Sequence, residues 1–78
     1  MIYFEIKEKH ETFAIYKFGM TIEDMSGEVT VFSSFVEPQI IKQPTSMKVP
    51  NSWLNQVIVK YKEQLLNGAF PPKMSFER

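Results

Sequence analysis

Residues 51–68, held between Pro50 and the Pro71-Pro72 pair, constrain this chain more than any other stretch. Proline lacks a backbone donor and clashes with the preceding helical turn, so a long helix in this half of the chain has to lie between those bounds. At about 100° per residue, Trp53, Leu54, Val57, Ile58, Tyr61 and Leu65 fall within an arc of roughly 140°, the stripe of a helix that faces a core. The spacing predicts a helix over residues 52–67, with Asn51 or Ser52 as N-cap and Asn67-Gly68 as a left-handed C-cap. At about 1.5 Å per residue its length is roughly 24 Å, close to the roughly 23 Å of a seven-residue strand. One such helix covers one small sheet.

The other half of the chain supplies that sheet. Ile2, Phe4 and Ile6 alternate with Tyr3, Glu5 and Lys7, and a second alternating run occupies residues 13–18. Pairing Lys9 with Phe13 sets Ile6 against Tyr16, Phe4 against Phe18 and Ile2 against Met20, with Glu5 opposite Lys17 on the other face. A slip of one residue puts Lys17 against Phe4, so the first register is preferred. Residues 19–27 break the alternation. Thr21 and Asp24 have the spacing of a capping arrangement, and Gly27 can provide the positive φ that ends a single helical turn. The β-branched residues 28–33 predict a third strand with Val29 and Val31 on one face. Residues 33–38 turn the chain, and 39–42 form a short fourth strand with Pro38 at its start.

Pro38, Pro44 and Pro50 recur every six residues, with Lys42 and Lys48 at a matching offset. Two copies are too few for a solenoid, so residues 43–50 read as a crossover loop into the helix. After Pro71-Pro72, Met74 and Phe76 alternate with Lys73, Ser75 and Glu77, the pattern of a short edge strand beside the first. The expected fold is therefore α+β and two-layered over a single domain, residues 1–78: a four-stranded antiparallel meander with one helix on one face, plus a possible fifth edge strand.

A chain of 78 residues that is 44% hydrophobic can form one core, and it has no cysteine to reinforce it. The start Met1-Ile2-Tyr3-Phe4-Glu5 has neither a basic region nor an uninterrupted apolar one, and no apolar run approaches the roughly 20 residues of a membrane span. A cytoplasmic location is the expectation. The formal net charge is zero, but residues 1–37 carry seven acids against three lysines, while residues 38–78 carry six basic residues against two acids. Nucleic acid is disfavoured as a partner by this balance: Lys60 and Lys62 lie on different sides of the helix, and the aromatic residues are mostly claimed by the core pattern. An RNA-binding module is the alternative function.

Little in the sequence speaks for catalysis. His10 is the sole histidine and falls in a hairpin loop between Lys9 and Glu11, where a solvated side chain is expected; a triad with Asp24 and a serine has no supporting motif. One histidine and no cysteine rule out the ordinary zinc sites. Glu23, Asp24 and Glu28 lack the alternate-residue ligand spacing of a calcium loop, and Gly19, Gly27 and Gly68 are too isolated to cradle a phosphate. No catalytic, cofactor-binding or metal residue is assigned, and no small-molecule substrate is evident.

Association is better supported. The register above leaves Tyr3, Phe13 and Ile15 on the face of the sheet away from the helix, and Val59 and Leu66 outside the core-facing arc of the helix. These five residues are the expected protein interface. The sequence thus predicts a non-enzymatic protein that associates with another copy of itself, or with another protein, mainly through the sheet.

Overall fold

Five strands and two short helices make up the α+β fold seen in the computed structural model, which describes every residue except Phe35 and Arg78. The strands are β1 (Ile2–Lys9), β2 (Phe13–Gly19), β3 (Gly27–Phe32), β4 (Gln39–Lys42) and β5 (Lys73–Phe76). They form one antiparallel sheet in the order β4-β3-β2-β1-β5. The meander and the fifth edge strand beside β1 are both present. Helices α1 (Asn51–Lys60) and α2 (Lys62–Leu66) supply the second layer.

Alternation fixes the inner face. Ile2 and Phe4 from β1, Ala14, Tyr16 and Phe18 from β2, Val29 and Val31 from β3, and Met74 from β5 are buried, and Leu54, Val57, Ile58 and Leu65 meet them from the helical layer. Trp53 and Tyr61 pack against this cluster but remain partly exposed. Burying each such aliphatic side chain is worth about 1.5–3 kcal/mol, so the two faces hold each other. The Tyr16 hydroxyl donates to the Pro71 carbonyl at 2.6 Å, which ties the chain between α2 and β5 to the middle of the sheet. Burial pushes the Tyr16 phenol well above its ordinary value.

Several details depart from the sequence expectations. The pairs Phe4–Phe18, Glu5–Lys17 and Ile6–Tyr16 are as expected, but a bulge between Ile6 and Glu8 sets Lys9 opposite Ala14 rather than Phe13, and the ladder ends at Tyr3–Gly19 without an Ile2–Met20 pair. The shift lets Glu8 and Lys9 remain exposed while Phe4 and Ile6 keep their inner positions. Residues 21–24 form a tight β-turn rather than a turn of helix, with a Thr21–Asp24 bridge and the Asp24 amide bonded to Thr21. Gly27 is the first residue of β3, and positive φ occurs among the described glycines only at Gly68. What Gly27 provides is room: a Cβ there would lie 2.7 Å from the Phe18 ring.

The helix begins at Asn51 with Pro50 at the N-cap position and without a side-chain cap; Asn51 donates instead to the Glu37 carboxylate, which leaves neither Asn51 nor Ser52 in the expected role. The expected continuous helix over 52–67 is broken at Tyr61, whose amide bonds to Ile58 at the tighter three-residue spacing. Its C-terminus is as expected: Gly68 has φ of 74°, the Ala69 amide bonds to Gln64 and the Gly68 amide to Leu65, the paired bonds of a Schellman motif. Ser33 and Ser34 lie in the expected turn after β3, whose continuation through Phe35 lies outside the described residues.

Candidate functional site: the outer face of the sheet

The same alternation that fills the core sends a second set of side chains outward. Reading the registers across all five strands, Lys73, Glu5, Lys17, Glu28 and Lys42 stand side by side in one row. Their charges alternate in sign across the full width of the sheet. Lys17 Nζ lies 3.1 Å from Glu5, Lys42 Nζ lies 3.7 Å from Glu28, and Lys7, displaced by the bulge, reaches Glu28 at 2.9 Å. The hydrogen bond from Lys7, with the charges of Lys7 and Lys42, holds the Glu28 carboxyl below its usual range. Exposed pairs of this kind contribute about 0–1 kcal/mol each, so the row matters more for what it repels or attracts than for stability.

Apolar side chains lie on both sides of the row. At one end of the sheet Phe13 stacks on His10, ring centroids 4.4 Å apart and 18° from parallel, and meets Phe32 of β3 at 6.4 Å. Ile15 stands between these rings and the charges, half-buried like Phe13 and Phe32. His10 is therefore not simply solvated: besides the stack it lies 3.2 Å from Glu8.

At the other end is a recess. Tyr3 and Glu5 of β1, Lys17 of β2, and Lys73 and Ser75 of β5 line it together with Ile22 and Met25 from the connection between β2 and β3, enclosing about 480 Å³. The wall formed by that connection is built deliberately by the local sequence. Gly19 points outward by alternation, and the Asp24 carbonyl comes so close that a Cβ on Gly19 would lie 1.7 Å from it. Asp24 then anchors the loop from the far side, accepting from Ser26 at 2.5 Å, from the Ser46 amide at 3.1 Å, from the Ser46 hydroxyl and from Thr45 at 3.3 Å. Those bonds lower the Asp24 pKa to about 2. Between the two anchors Ile22 projects, 72% exposed.

The expected interface residues thus fall into separate places. Tyr3, Phe13 and Ile15 share the outer face, but the charged row separates Tyr3 from the other two. Val59 and Leu66, 53% and 51% exposed, lie on the helical layer and do not join them. Val59 borders another hollow, of about 310 Å³, with Lys60, Lys62, Glu63 and Gln64, which Leu66 does not line. Sequence reasoning missed Ile22, Met25 and Phe32. Phe32 was legible as the outward residue two beyond Thr30; Ile22 and Met25 were not, because no periodicity runs through a tight turn.

Chemically the outer face offers apolar area, aromatic rings and fixed charges of both signs. No histidine lines the recess, and no group of three or more potential metal ligands gathers among the described residues. No helix of the described chain is long and apolar enough to cross a membrane. No protein-family model, characterised protein or solved structure matches the chain.

Proposed function

We propose that this is a small non-enzymatic protein that acts by association with protein, in the first instance with a second copy of itself, through the outer face of its sheet. The observation that carries this reading is the set of large apolar side chains that the outer face holds half-buried or exposed, Tyr3, Phe13, Ile15, Ile22 and Phe32, where an antiparallel sheet facing only water carries polar ones.

The edges of the sheet are poorer candidates than its face. On β5 the Ser75 amide donates to the Tyr61 hydroxyl at 3.3 Å and the Ser75 carbonyl accepts from Lys60 at 2.9 Å, so side chains of the helical layer cover the middle of that edge. At the other edge β4 has four residues and a bulge in its pairing with β3. Short, bulged and covered edges resist strand addition. The RNA-binding alternative has less to draw on, since Lys7, Lys17 and Lys42 are engaged with glutamates. It predicts retention on immobilised RNA that weakens with salt.

Sedimentation equilibrium tests the proposal. A dimer is expected at micromolar concentration, and changing Tyr3 and Phe13 together to serine should raise its dissociation constant at least tenfold while leaving the far-ultraviolet circular dichroism unchanged. A wild-type monomer at high micromolar concentration would remove the homodimer. Loss of fold in the serine variant would show that these side chains serve the core instead.

A further inference from the structure

Resting on that self-association, we infer that the two copies pack face to face about a two-fold axis running along the strands between β1 and β2, and that Ile22 of each copy fills the recess of the other. A two-fold axis that runs along the strands in the interface maps the sheet of one copy onto its partner with the strand order reversed. The alternating row then decides which axes are allowed. An axis centred on any one strand faces that strand with itself, so an axis on β2 brings Lys17 to Lys17, Glu5 to Glu28 and Lys73 to Lys42, like charge on like at every position. An axis across the strands, along the row, does the same. Only an axis between adjacent strands sets lysine against glutamate.

Two such axes overlap four strands of each copy. Between β2 and β3, Lys17 faces Glu28 and Glu5 faces Lys42. Between β1 and β2, Lys17 faces Glu5 and Lys73 faces Glu28. The connection that joins β2 to β3 distinguishes them. It stands on the outer face beside Tyr3 and Lys17, so an axis between β2 and β3 drives it against the same connection in the partner. An axis between β1 and β2 carries it instead over β1 and β5 of the partner, where Tyr3, Lys73 and Ser75 bound the recess. The most exposed large apolar side chain among the described residues, Ile22, thereby meets the recess of about 480 Å³.

Packed sheets cross at about 30° rather than lying parallel, which displaces charges far from the axis more than those beside it. Glu5 and Lys17 occupy the two strands flanking the axis, so their cross-copy pairing survives the twist best.

The arrangement has a specific consequence for charge reversal. Glu5→Lys gives a protomer with lysine at both central positions, and Lys17→Glu gives one with glutamate at both. Each variant alone should dimerise at least tenfold more weakly than wild type. Mixed in equal amounts they should form a one-to-one heterodimer, read by native mass spectrometry. Ile22→Asp should weaken the wild-type dimer at least tenfold with no change in melting temperature of the monomer, because Ile22 is mostly in solvent there.

Three outcomes separate the layers of the argument. A monomeric wild type overturns the self-association itself. A dimeric wild type whose reversed variants do not combine, or whose Ile22→Asp variant dimerises normally, overturns this axis while leaving the dimer. If circular dichroism shows that either charge variant is unfolded, the Ile22→Asp result decides alone.

Discussion

Asp24 shows how much a single half-buried carboxylate can organise in a chain this small. Its oxygens bind Ser26 within its own loop and Thr45 and Ser46 of the crossover loop, so it joins two irregular segments that share no ladder. Because these bonds favour the ionised form, the stability they provide is complete above the ordinary aspartate value of about 3.9 and is lost as pH falls from there through the lowered one. Asp24→Asn should lower the melting temperature at neutral pH, and the gap between variant and wild type should close between about pH 4 and pH 2, as followed by circular dichroism at stepped pH. Gly19 makes the complementary contribution from the other side of the loop. A methyl group at Gly19 must push the Asp24 carbonyl away from 1.7 Å, so Gly19→Ala should destabilise the fold by about 1–3 kcal/mol in urea unfolding. The displaced wall should also weaken self-association beyond what the stability loss explains.

Among the elements, the broken helix has a use. Tyr61 leaves the helical path between α1 and α2, with φ of −106°, and its hydroxyl accepts the outward amide of Ser75, while neighbouring Lys60 reaches the Ser75 carbonyl and lies 5.3 Å from the Tyr61 ring. Two consecutive residues thus satisfy the amide and carbonyl that Ser75 presents at the free edge of β5. Tyr61→Phe removes the acceptor and keeps the ring, so the Ser75 amide should exchange with solvent at least several-fold faster while amides of β2 and β3 are unaffected; hydrogen exchange followed by nuclear magnetic resonance measures this. The helix pattern was legible from periodicity, and its left-handed C-terminal cap from Asn67-Gly68; the paired bonds of the Schellman motif were not. The break was not, because 3.6-residue spacing continues through Tyr61 in sequence and only the position of β5 pulls it away. Strand registers were legible where opposite faces disagree in character, as at Phe4–Phe18 and Glu5–Lys17. They failed past Ile6, where Glu8 and Lys9 give no reason to prefer one face and a bulge costs nothing apolar.

For the molecule as a whole, the two layers leave one sheet face without a cover, and self-association is the cover proposed for it. If folding and dimerisation are linked, the melting temperature should rise with protein concentration, by a few degrees for each hundredfold increase, in scanning calorimetry on the wild type. Ile22→Asp should abolish that dependence. The two candidate surfaces read from sequence lie apart: Tyr3, Phe13 and Ile15 are on the uncovered sheet, whereas Val59 and Leu66 are exposed on the helical layer.

The sequence by itself determined the fold class, the order of elements and which half of each strand faces inward, because those follow from side-chain period and from proline and glycine punctuation, which are local. It also placed Glu5 opposite Lys17. Only the tertiary structure decided that five charged residues from five strands form one alternating row, and that a turn with no periodic pattern stands beside Tyr3 to make a recess. Both depend on register summed across the whole sheet and on contacts between segments far apart in the chain, such as Asp24 with Ser46, which no local pattern encodes.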